Sequence, residues 1–399
     1  MQPARPPLHA LLDLPQVPVP SAQSGPLAGL RLAVKDIFDV AGYPTGGGNP
    51  QWAKEAGIAA ETTPAVQMIL DAGARFVGKT QTDEFAFSLM GQNAHFPFPV
   101  NPAAPDRVTG GSSSGSASAV AGGLAEIATG SDTGGSIRAP ASFCGLIGLR
   151  TTHGRISLEG TMPLAPSLDT FGWFARDIDV YEAVAKVLMG TSPAPGRGAP
   201  RLLRLEALDE LVFGTAEAAE YSRMLATVTK AFGEVQAAGP LNHTLDDLYW
   251  CFRRIQAREA WAARGAWIET HPGDVDPAVE ERFRFGLTID DAMLAQAQGL
   301  RAGFRKELET LLGRDGVLVL PTVPGAAPLV AAPAGDLLAY RERALKLLSL
   351  SALSGFPQIT VPLGKVDGAP FGLSLLGLAG SDLELIGLGR KLLEAAGRG

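Results

Sequence analysis

The stretch that decides the fold is TTPAVQMILDAGARFVG, residues Thr62–Gly78. Thr63 suits the N-cap of a helix, Pro64 suits its first position, and Gly73 suits the residue after its last turn. The remainder of the stretch predicts a strand, and Leu30–Val40, earlier in the chain, alternates and then becomes apolar, as a second strand does. The order strand, helix, strand indicates an α/β fold.

The rest of the chain extends this pattern over one domain, predicted to span residues 1–399 with a catalytic core at 28–178. Small residues dominate from Val108 to Arg150, and Ser116–Ala121 within that segment predicts a closely packed helix. Residues 179–315 are richer in charge and in helical spacing, which predicts a helical cover or lid. Residues 316–399 predict C-terminal strands and a helix that complete the sheet. The elements predicted in these last two segments are helices at Tyr249–Ala263, Asp290–Leu312 and Asp382–Ala395, and strands at Val317–Pro321 and Gln358–Pro362.

Composition and charge narrow the class of protein. The 399 residues carry 34 Lys and Arg against 41 Asp and Glu, a net charge of -7, which gives no basic surface for nucleic acid or anionic lipid. Cys144 and Cys251 are too few for a disulfide framework or a four-ligand zinc site, so we expect a reducing cytoplasm. Met1–Pro7 lacks the apolar core of a signal peptide. Gly316–Gly335 and Leu347–Gly364 are uncharged but contain proline and glycine, which predicts buried strands and turns instead of a membrane span.

Three motif matches fail on their structural context. Gly73–Thr80 matches the phosphate-loop expression G-x-x-x-x-G-K-S/T, but Gly73 ends a helix here, whereas a phosphate loop follows a strand and opens a helix. Asp132-Thr133-Gly134 resembles an aspartic-protease triplet without the second copy that such chemistry needs. Gly111–Gly115 matches G-x-S-x-G, yet a turn precedes it where a nucleophile elbow needs a strand. The histidines downstream of that motif, which have no context typical of a catalytic base, are His153, His243 and His271.

The residues left over from those motifs are Lys35, the run Gly110–Ala117 and the run Gly130–Pro140. At these residues the chain resembles the amidase signature family of serine hydrolases. The resemblance is strong over Leu30–Asp177 and weaker over 317–363 and 368–377. The resemblance is greatest to the compact branch that includes plant indole-3-acetamide hydrolases. The segments most similar to that branch are Val34–Asn49, Thr82–Ser88, Gly91–His95 and Ser167–Thr170.

The resemblance implies a fold and a set of site residues. The implied fold is a mixed, mostly parallel central sheet with helices on both faces. In the implied triad Lys35 is the base, Ser112, after a cis peptide bond, relays the proton, and Ser136 is the nucleophile. A lysine acts as a base only when neutral, and burial lowers its pKa. The implied oxyanion hole consists of the backbone amides of Thr133, Gly134, Gly135 and Ser136, and the implied supporting residues are Ser113, Asp132 and Arg138.

The resemblance also implies an activity. We expect an amidase that hydrolyses a small carboxamide to a carboxylate and ammonia through a serine acyl-enzyme, with no metal and no cofactor. The predicted pocket is apolar and aromatic, which favours aryl- or indolylacetamides and disfavours charged amides such as glutamine. Its predicted lining, from segments similar to those that border the family's acyl pocket, is Phe85, Phe87, Ser88, Met90, Gln92 and Phe143.

Several alternatives remain open at this point. The same triad suits a glutamine-hydrolysing amidotransferase subunit, an esterase or a non-enzymatic ligand-binding relative. The phenylalanines of the predicted pocket also suit a hydrophobic core. The Arg253-Arg254-Arg258 cluster suits either a site that binds a substrate carboxylate or a solvated helix face. Ser114 stands where many family members have glycine. As partners we expect a small-molecule carboxamide, no nucleic acid and no membrane, in a monomer or homodimer.

Overall fold

Ten strands join into one sheet in the computed structural model, which describes residues 7–191 and 200–397. In chain order they are β1 Arg31–Lys35, β2 Arg75–Thr80, β3 Ile127–Ser131, β4 Ile147–Arg150, β5 Phe171–Ala175, β6 Arg201–Arg204, β7 Gln236–Ala237, β8 Gly316–Pro321, β9 Gln358–Val366 and β10 Ala369–Leu376. Their order across the sheet is β2-β1-β3-β5-β4-β9-β10-β8-β6-β7. Most of Met1–Pro7 and the two ends of the predicted domain lie outside the described residues.

Helices connect and cover these strands. They are α1 Pro50–Glu55, α2 Pro64–Asp71, α3 Ser114–Ala121, α4 Arg138–Cys144, α5 Ile178–Met189, α6 Glu206–Asp209, α7 Gly214–Phe232, α8 Leu245–Thr270, α9 Pro277–Arg284, α10 Asp291–Leu312, α11 Ala334–Ser354 and α12 Asp382–Ala395. Every residue of β3, β8 and β10 is buried. Because successive side chains of a strand point to opposite faces, both faces of the sheet are covered, in agreement with the predicted layers.

The predicted order of strand, helix and strand is confirmed. β1 ends at Lys35, α2 begins at Pro64, and β2 runs parallel to β1. Gly73 follows α2 with φ +102°, a conformation that favours glycine. Thr63 precedes the helix but does not cap it, since its hydroxyl donates to the Gly160 carbonyl at 2.7 Å. The other predicted helices and strands are present as α3, α8, α10, α12, β8 and β9.

The sheet is mixed, as predicted, but parallel pairings do not dominate it. β1 pairs in parallel with β2 and β3, and β6 pairs in parallel with β7 and β8. The pairings across the middle of the sheet are antiparallel: β3 with β5, β5 with β4, β4 with β9, β9 with β10 and β10 with β8. β9 and β10 are joined by Asp367-Gly368, both at positive φ, and such a two-residue turn returns the chain antiparallel.

Two segments differ from their predictions. Residues 179–315 form helices but also supply β6 and β7 to the sheet, because Leu202-Leu203 is too short an apolar run to be recognised as a strand. Leu347–Ser354, predicted as strand and turn, forms the buried end of α11, where an uncharged run of leucine, alanine and serine suits a helix enclosed on all sides. Within residues 7–191 and 200–397, no helix is long and apolar enough to cross a membrane.

The sheet brings the predicted site residues to one edge. β1 and β3 are parallel neighbours, so their last residues, Lys35 and Ser131, lie at the same edge of the sheet. Ser112 lies just before α3, and Ser136 lies just before α4. The edge of the sheet where β1 and β3 end therefore holds Lys35 and the start of the turn that leads to Ser136.

Candidate active site

Lys35 is surrounded by hydroxyl groups. Its Nζ lies 2.8 Å from Ser112 Oγ, 3.0 Å from Ser113 Oγ and 2.9 Å from Ser131 Oγ. The side chain is fully buried, and it forms no salt bridge with any residue that the structure describes. A primary amine in this position contacts three groups that both donate and accept hydrogen bonds, so either protonation state finds a partner.

The environment of Lys35 favours the neutral amine. Burial lowers the pKa of Lys35 from 10.5 to about 7, because the charged form loses its hydration. The carboxyl groups of Asp83, Asp169 and Asp132 act in the opposite direction with smaller effects. A lysine with this pKa is substantially neutral at neutral pH and can accept a proton.

Ser112 is fixed through its backbone. The peptide bond between Gly111 and Ser112 is cis, as the resemblance implies. The Ser112 carbonyl accepts hydrogen bonds from the Asp83 amide at 3.0 Å and from Thr82 Oγ1 at 3.0 Å. These contacts anchor the backbone while the hydroxyl of Ser112 faces Lys35.

Ser136 lies in the turn between β3 and α4 and is 5% exposed. Its hydroxyl has no hydrogen-bond partner in the described part of the chain, and no hydrogen bond joins it to Ser112. The structure therefore brings Lys35 and Ser112 into contact, together with Ser113. It places Ser136 on the turn that leads away from Ser131, the third hydroxyl at Lys35.

Asp132 braces the turn that carries Ser136. Its carboxylate accepts from the backbone amides of Gly135 at 2.8 Å and Ile137 at 3.2 Å, and from the guanidinium of Arg138 at 2.9 Å. Arg150 also donates to it, at 3.2 Å. Burial raises the pKa of Asp132, but Arg138 and Arg150 outweigh burial and hold the pKa well below its ordinary value. The carboxylate thus stays charged and holds the turn in place.

The amide of Gly135 does not belong to the predicted oxyanion hole, because it donates to Asp132. The amides of Thr133, Gly134 and Ser136 make no hydrogen bond with another described residue, so they remain available as donors. The sequence could not separate these two groups, since all four amides lie in one short turn. Asp132, predicted as a supporting residue, accepts a hydrogen bond from one of the four predicted donors.

Glycine is required at two positions of this turn. A Cβ on Gly134 would lie 2.3 Å from the Phe252 ring, and a Cβ on Gly135, at φ +126°, would lie 2.4 Å from Leu348 Cδ1. Leu89 also approaches the same point of Gly135, at 3.2 Å. The turn is therefore enclosed by α8, by α11 and by the segment around Leu89.

Comparison with known proteins agrees with this geometry. A family model described as Amidase matches residues 10–386. The chain belongs to the amidase signature family. It is 38% identical over 407 residues to a protein named Amidase 1 from Oryza sativa subsp. japonica, covering 95% of this chain and 93% of the relative. It is 40% identical over 400 residues to Amidase 1 from Arabidopsis thaliana, covering 93% of this chain and 94% of the relative.

A solved structure described as a crystal structure of an amidase is similar to the whole fold. It superposes with a TM-score of 0.83 at 32% sequence identity, covering 93% of this chain and 85% of that chain. Taken with the family match and the plant relatives, this makes the protein a hydrolase that acts on amide C–N bonds. The predicted family is confirmed, and these plant relatives agree with the plant branch predicted from the sequence.

Two residues of this amidase site were not predicted from the sequence. Ser131 supplies the third hydroxyl at Lys35, and Arg150 is the second cation at Asp132. Arg150 is fully buried, and burial lowers its pKa to about 10. A charged residue at the end of the apolar run Ile147–Leu149 was the available signal for Arg150. Ser131 stands at the end of β3, where no pattern distinguishes it from its neighbours.

The residues predicted to line the acyl pocket of the amidase fall into two groups. Ser88, Met90 and Gln92 line a cavity of about 240 Å³, together with Arg282 and Arg341. Phe87 and Phe143 do not line this cavity. Phe87 packs on Phe283 with ring centroids 4.9 Å apart, and Phe143 packs on Tyr340 at 5.8 Å. Phe85 is likewise enclosed by aromatic rings. Large apolar rings are most stable in the core, and these three satisfy that preference.

The motifs rejected from the sequence have structural explanations. Lys79, in the phosphate-loop match, lies in β2 and pairs with Asp36 at 2.8 Å. The downstream histidines contact groups outside the amidase site. Those contacts are His153 with the Pro166 carbonyl, His243 with Glu307, and His271 with Glu55.

Proposed function

We propose that this chain hydrolyses a small carboxamide to a carboxylate and ammonia through a covalent acyl-enzyme on Ser136. The observation that carries the proposal is the buried Lys35, whose Nζ contacts Ser112 Oγ at 2.8 Å and whose pKa is lowered to about 7. A serine becomes an effective nucleophile only when a neighbouring base takes its proton. Neutral Lys35 is that base, acting through Ser112.

In the first step, Ser136 Oγ bonds to the carboxamide carbon. Its proton passes to Ser112 Oγ while the proton of Ser112 passes to Lys35 Nζ, so one base serves both hydroxyls. The carbonyl oxygen becomes an oxyanion, to which we assign the available amides of the turn, those of Thr133, Gly134 and Ser136, as donors. Each such donor contributes about 3–4 kcal/mol to the stability of the transition state.

The second half of the reaction reverses the proton transfer. When the C–N bond breaks, the proton returns from Lys35 through Ser112 to the leaving nitrogen, and ammonia departs. Water then attacks the ester carbon of the acyl-Ser136, with Lys35 again taking the proton through Ser112. The carboxylate leaves and Ser136 regains its proton.

The acyl preference predicted from the sequence, for aryl- or indolylacetamides, stays a prediction. Phe87 and Phe143 pack in the core, so Met90 is the apolar side chain of the predicted set that remains at the cavity. Arg282 and Arg341, on the same cavity, are cations. A cationic cavity favours a different acyl group from an aromatic one.

A fluorophosphonate probe, followed by mass spectrometry of the labelled peptide, tests the nucleophile. Wild-type protein should carry the label on Ser136, and Ser136→Ala should lose both the label and ammonia release from alkyl-, aryl- and indolylacetamides, by about 10³-fold or more. Ser222→Ala, on the exposed side of α7, is the matched control and should retain both. Turnover of Ser136→Ala within about tenfold of wild type, or labelling at another serine, contradicts the proposal.

A further inference from the structure

Three arginines from three helices meet beside the candidate active site. Arg253 on α8, Arg282 on α9 and Arg341 on α11 form what we call the arginine cluster. Arg282 and Arg341 line the cavity of about 240 Å³ that Ser88 and Met90 also line. Arg253 acts electrostatically on both of the other arginines, so the three charges are near neighbours.

The arginine cluster forms no salt bridge with any described residue, although the carboxylates of Asp83, Asp276 and Glu281 act on Arg282 electrostatically. Arg341 is 8% exposed and makes neither a hydrogen bond nor a salt bridge with any described residue, and its Nε is buried without a partner. Arg253 donates to the Tyr249 hydroxyl at 2.9 Å, and its Nε is also buried without a partner. Arg282 donates to the Phe87 carbonyl at 2.9 Å. These acceptors are neutral and leave most of the guanidinium donors unused.

The carboxylates that share the cavity are engaged elsewhere. Glu84 accepts from Asn49 at 2.7 Å, from His95 at 2.6 Å and from the Asp276 amide at 3.0 Å. Asp276 caps the start of α9 through the amides of Ala278 and Val279. Neither carboxylate forms a salt bridge with the arginine cluster among the described residues.

Arg341 is buried beside two half-buried cations, Arg253 and Arg282, and this arrangement of like charges is unfavourable without an anion. Burial lowers the pKa of Arg341 to about 9, and repulsion from Arg253 and Arg282 acts in the same direction. Arginine nevertheless stays protonated in proteins, and an anion bound between the guanidinium groups would offset the repulsion. The planar, forked donors of arginine fit a carboxylate in particular.

The arginine cluster and the turn of Ser136 are bordered by the same chain segments. Leu348 of α11 contacts the Gly135 position, and Arg341 precedes Leu348 by two turns, which is about 10 Å along the helix axis. Leu89 contacts the same position of Gly135, and its neighbours Ser88 and Met90 line the cavity. The two segments that border the turn of Ser136 therefore also border the cavity.

We propose that the arginine cluster binds the carboxylate of an acidic amide, whose carboxamide group lies at Ser136. This inference rests on the proposed hydrolysis at Ser136 and gives it a substrate class, namely amides whose acyl chain ends in a carboxylate several bonds away. It reverses the preference predicted from the sequence, in which charged amides are poor substrates. A substrate ammonium group near the carboxylate is disfavoured by the same three cations.

A pair of substrates isolates the carboxylate. Adipic acid monoamide and hexanamide have the same chain length and differ at the end remote from the amide, so kcat/KM should be about 10–100-fold higher for the acid. Glutaric acid monoamide should exceed glutamine, which adds an ammonium group. Inorganic phosphate should compete with the acid but not with hexanamide.

Substitution of the arginines locates the effect. Arg341→Met and Arg282→Met should raise KM for adipic acid monoamide by about tenfold or more, with a smaller change in kcat, and should lower the ratio of kcat/KM for the acid to that for hexanamide. Arg341→Lys keeps the charge but loses the forked N–H donors of the guanidinium group, so it should give an intermediate KM. It also tests the site if Arg341→Met fails to fold. Arg258→Met, on α8 but paired with Asp291, is the matched control and should match wild type.

The outcomes separate this inference from the function on which it rests. Fluorophosphonate labelling of Ser136 with equal kcat/KM for the two substrates retains the hydrolase and overturns the carboxylate site. Phosphate binding that leaves KM unchanged in every variant also overturns it, since the cluster would then hold a free anion. If Ser136 takes no label and neither amide is hydrolysed, calorimetric titration with adipic acid monoamide still decides. Loss of that binding in Arg341→Met supports the site, and equal binding overturns it.

Discussion

At the scale of the residue, Lys35 sets the dependence of activity on pH. Burial lowers its pKa to about 7, and the proposed reaction requires its neutral form. As pH falls through this value the amine becomes protonated and cannot accept the proton of Ser112. We therefore expect kcat/KM to rise with pH along a limb centred near 7 and to level off above it, in a profile measured from pH 5 to 9.

Substitution distinguishes a base from a fixed charge. Lys35→Arg should lose as much activity as Lys35→Ala, because arginine remains protonated and cannot accept a proton. Lys54→Arg, at an exposed position of α1, is the control and should keep both the rate and the profile. A Lys35→Arg enzyme with near-normal activity, or a wild-type profile without a limb near 7, would show that Lys35 serves as a charge.

The residues of the site differ in how far the sequence could predict them. Lys35, Ser112 and Ser113 belong to runs that resemble the family, and the structure joins them by hydrogen bonds. Ser131 also lies in such a run, Gly130–Pro140, but the sequence did not relate it to Lys35, because that contact exists only once β1 and β3 lie side by side. Gly135 was assigned to the oxyanion hole because a turn's sequence does not tell which amides point inward.

At the scale of the element, the connections between strands explain features of the sheet that hydrophobic periodicity did not predict. The pattern of strand and helix near the start predicted parallel neighbours, and β1, β2 and β3 confirm it. The antiparallel pairing of β9 with β10 follows from a two-residue connection, which favours antiparallel neighbours. Asp367-Gly368 between two apolar runs is such a connection, and it was visible in the sequence. α11 was missed because Leu347–Ser354 is uncharged throughout, without the periodicity of an exposed helix.

The turn between β9 and β10 allows a test of its glycine. Gly368 has φ +79° with open space around it, so Gly368→Ala should lower the free energy of unfolding by about 1–2 kcal/mol through backbone conformation alone. Gly387→Ala is the matched control, because Gly387 also has open space but lies inside α12 without a positive φ. That substitution should instead stabilise the protein by about 0.4–1 kcal/mol. Urea denaturation measures both, and equal signs would contradict the assigned turn.

At the scale of the whole molecule, the site is assembled from segments far apart in sequence. The turn of Ser136 contacts Phe252 of α8 and Leu348 of α11, and both helices also carry members of the arginine cluster. The middle of the chain was predicted only as a cover, since helical periodicity says which face is apolar but not what that face contacts. Its contribution to the site depends on the long-range packing of the complete fold.

The contact between Phe252 and Gly134 gives a prediction at this scale. Gly134→Ala would place a Cβ 2.3 Å from the Phe252 ring, which should displace the turn and lower kcat/KM and the rate of fluorophosphonate labelling by about 10²-fold or more. Phe252→Leu removes the ring, so the double variant should recover part of both rates, and the two substitutions should be strongly non-additive. Gly135→Ala is the matched control. Its Cβ would meet Leu348 instead, so Phe252→Leu should not restore it. Additive losses in Gly134→Ala/Phe252→Leu would mean that α8 does not hold the turn of Ser136 in place.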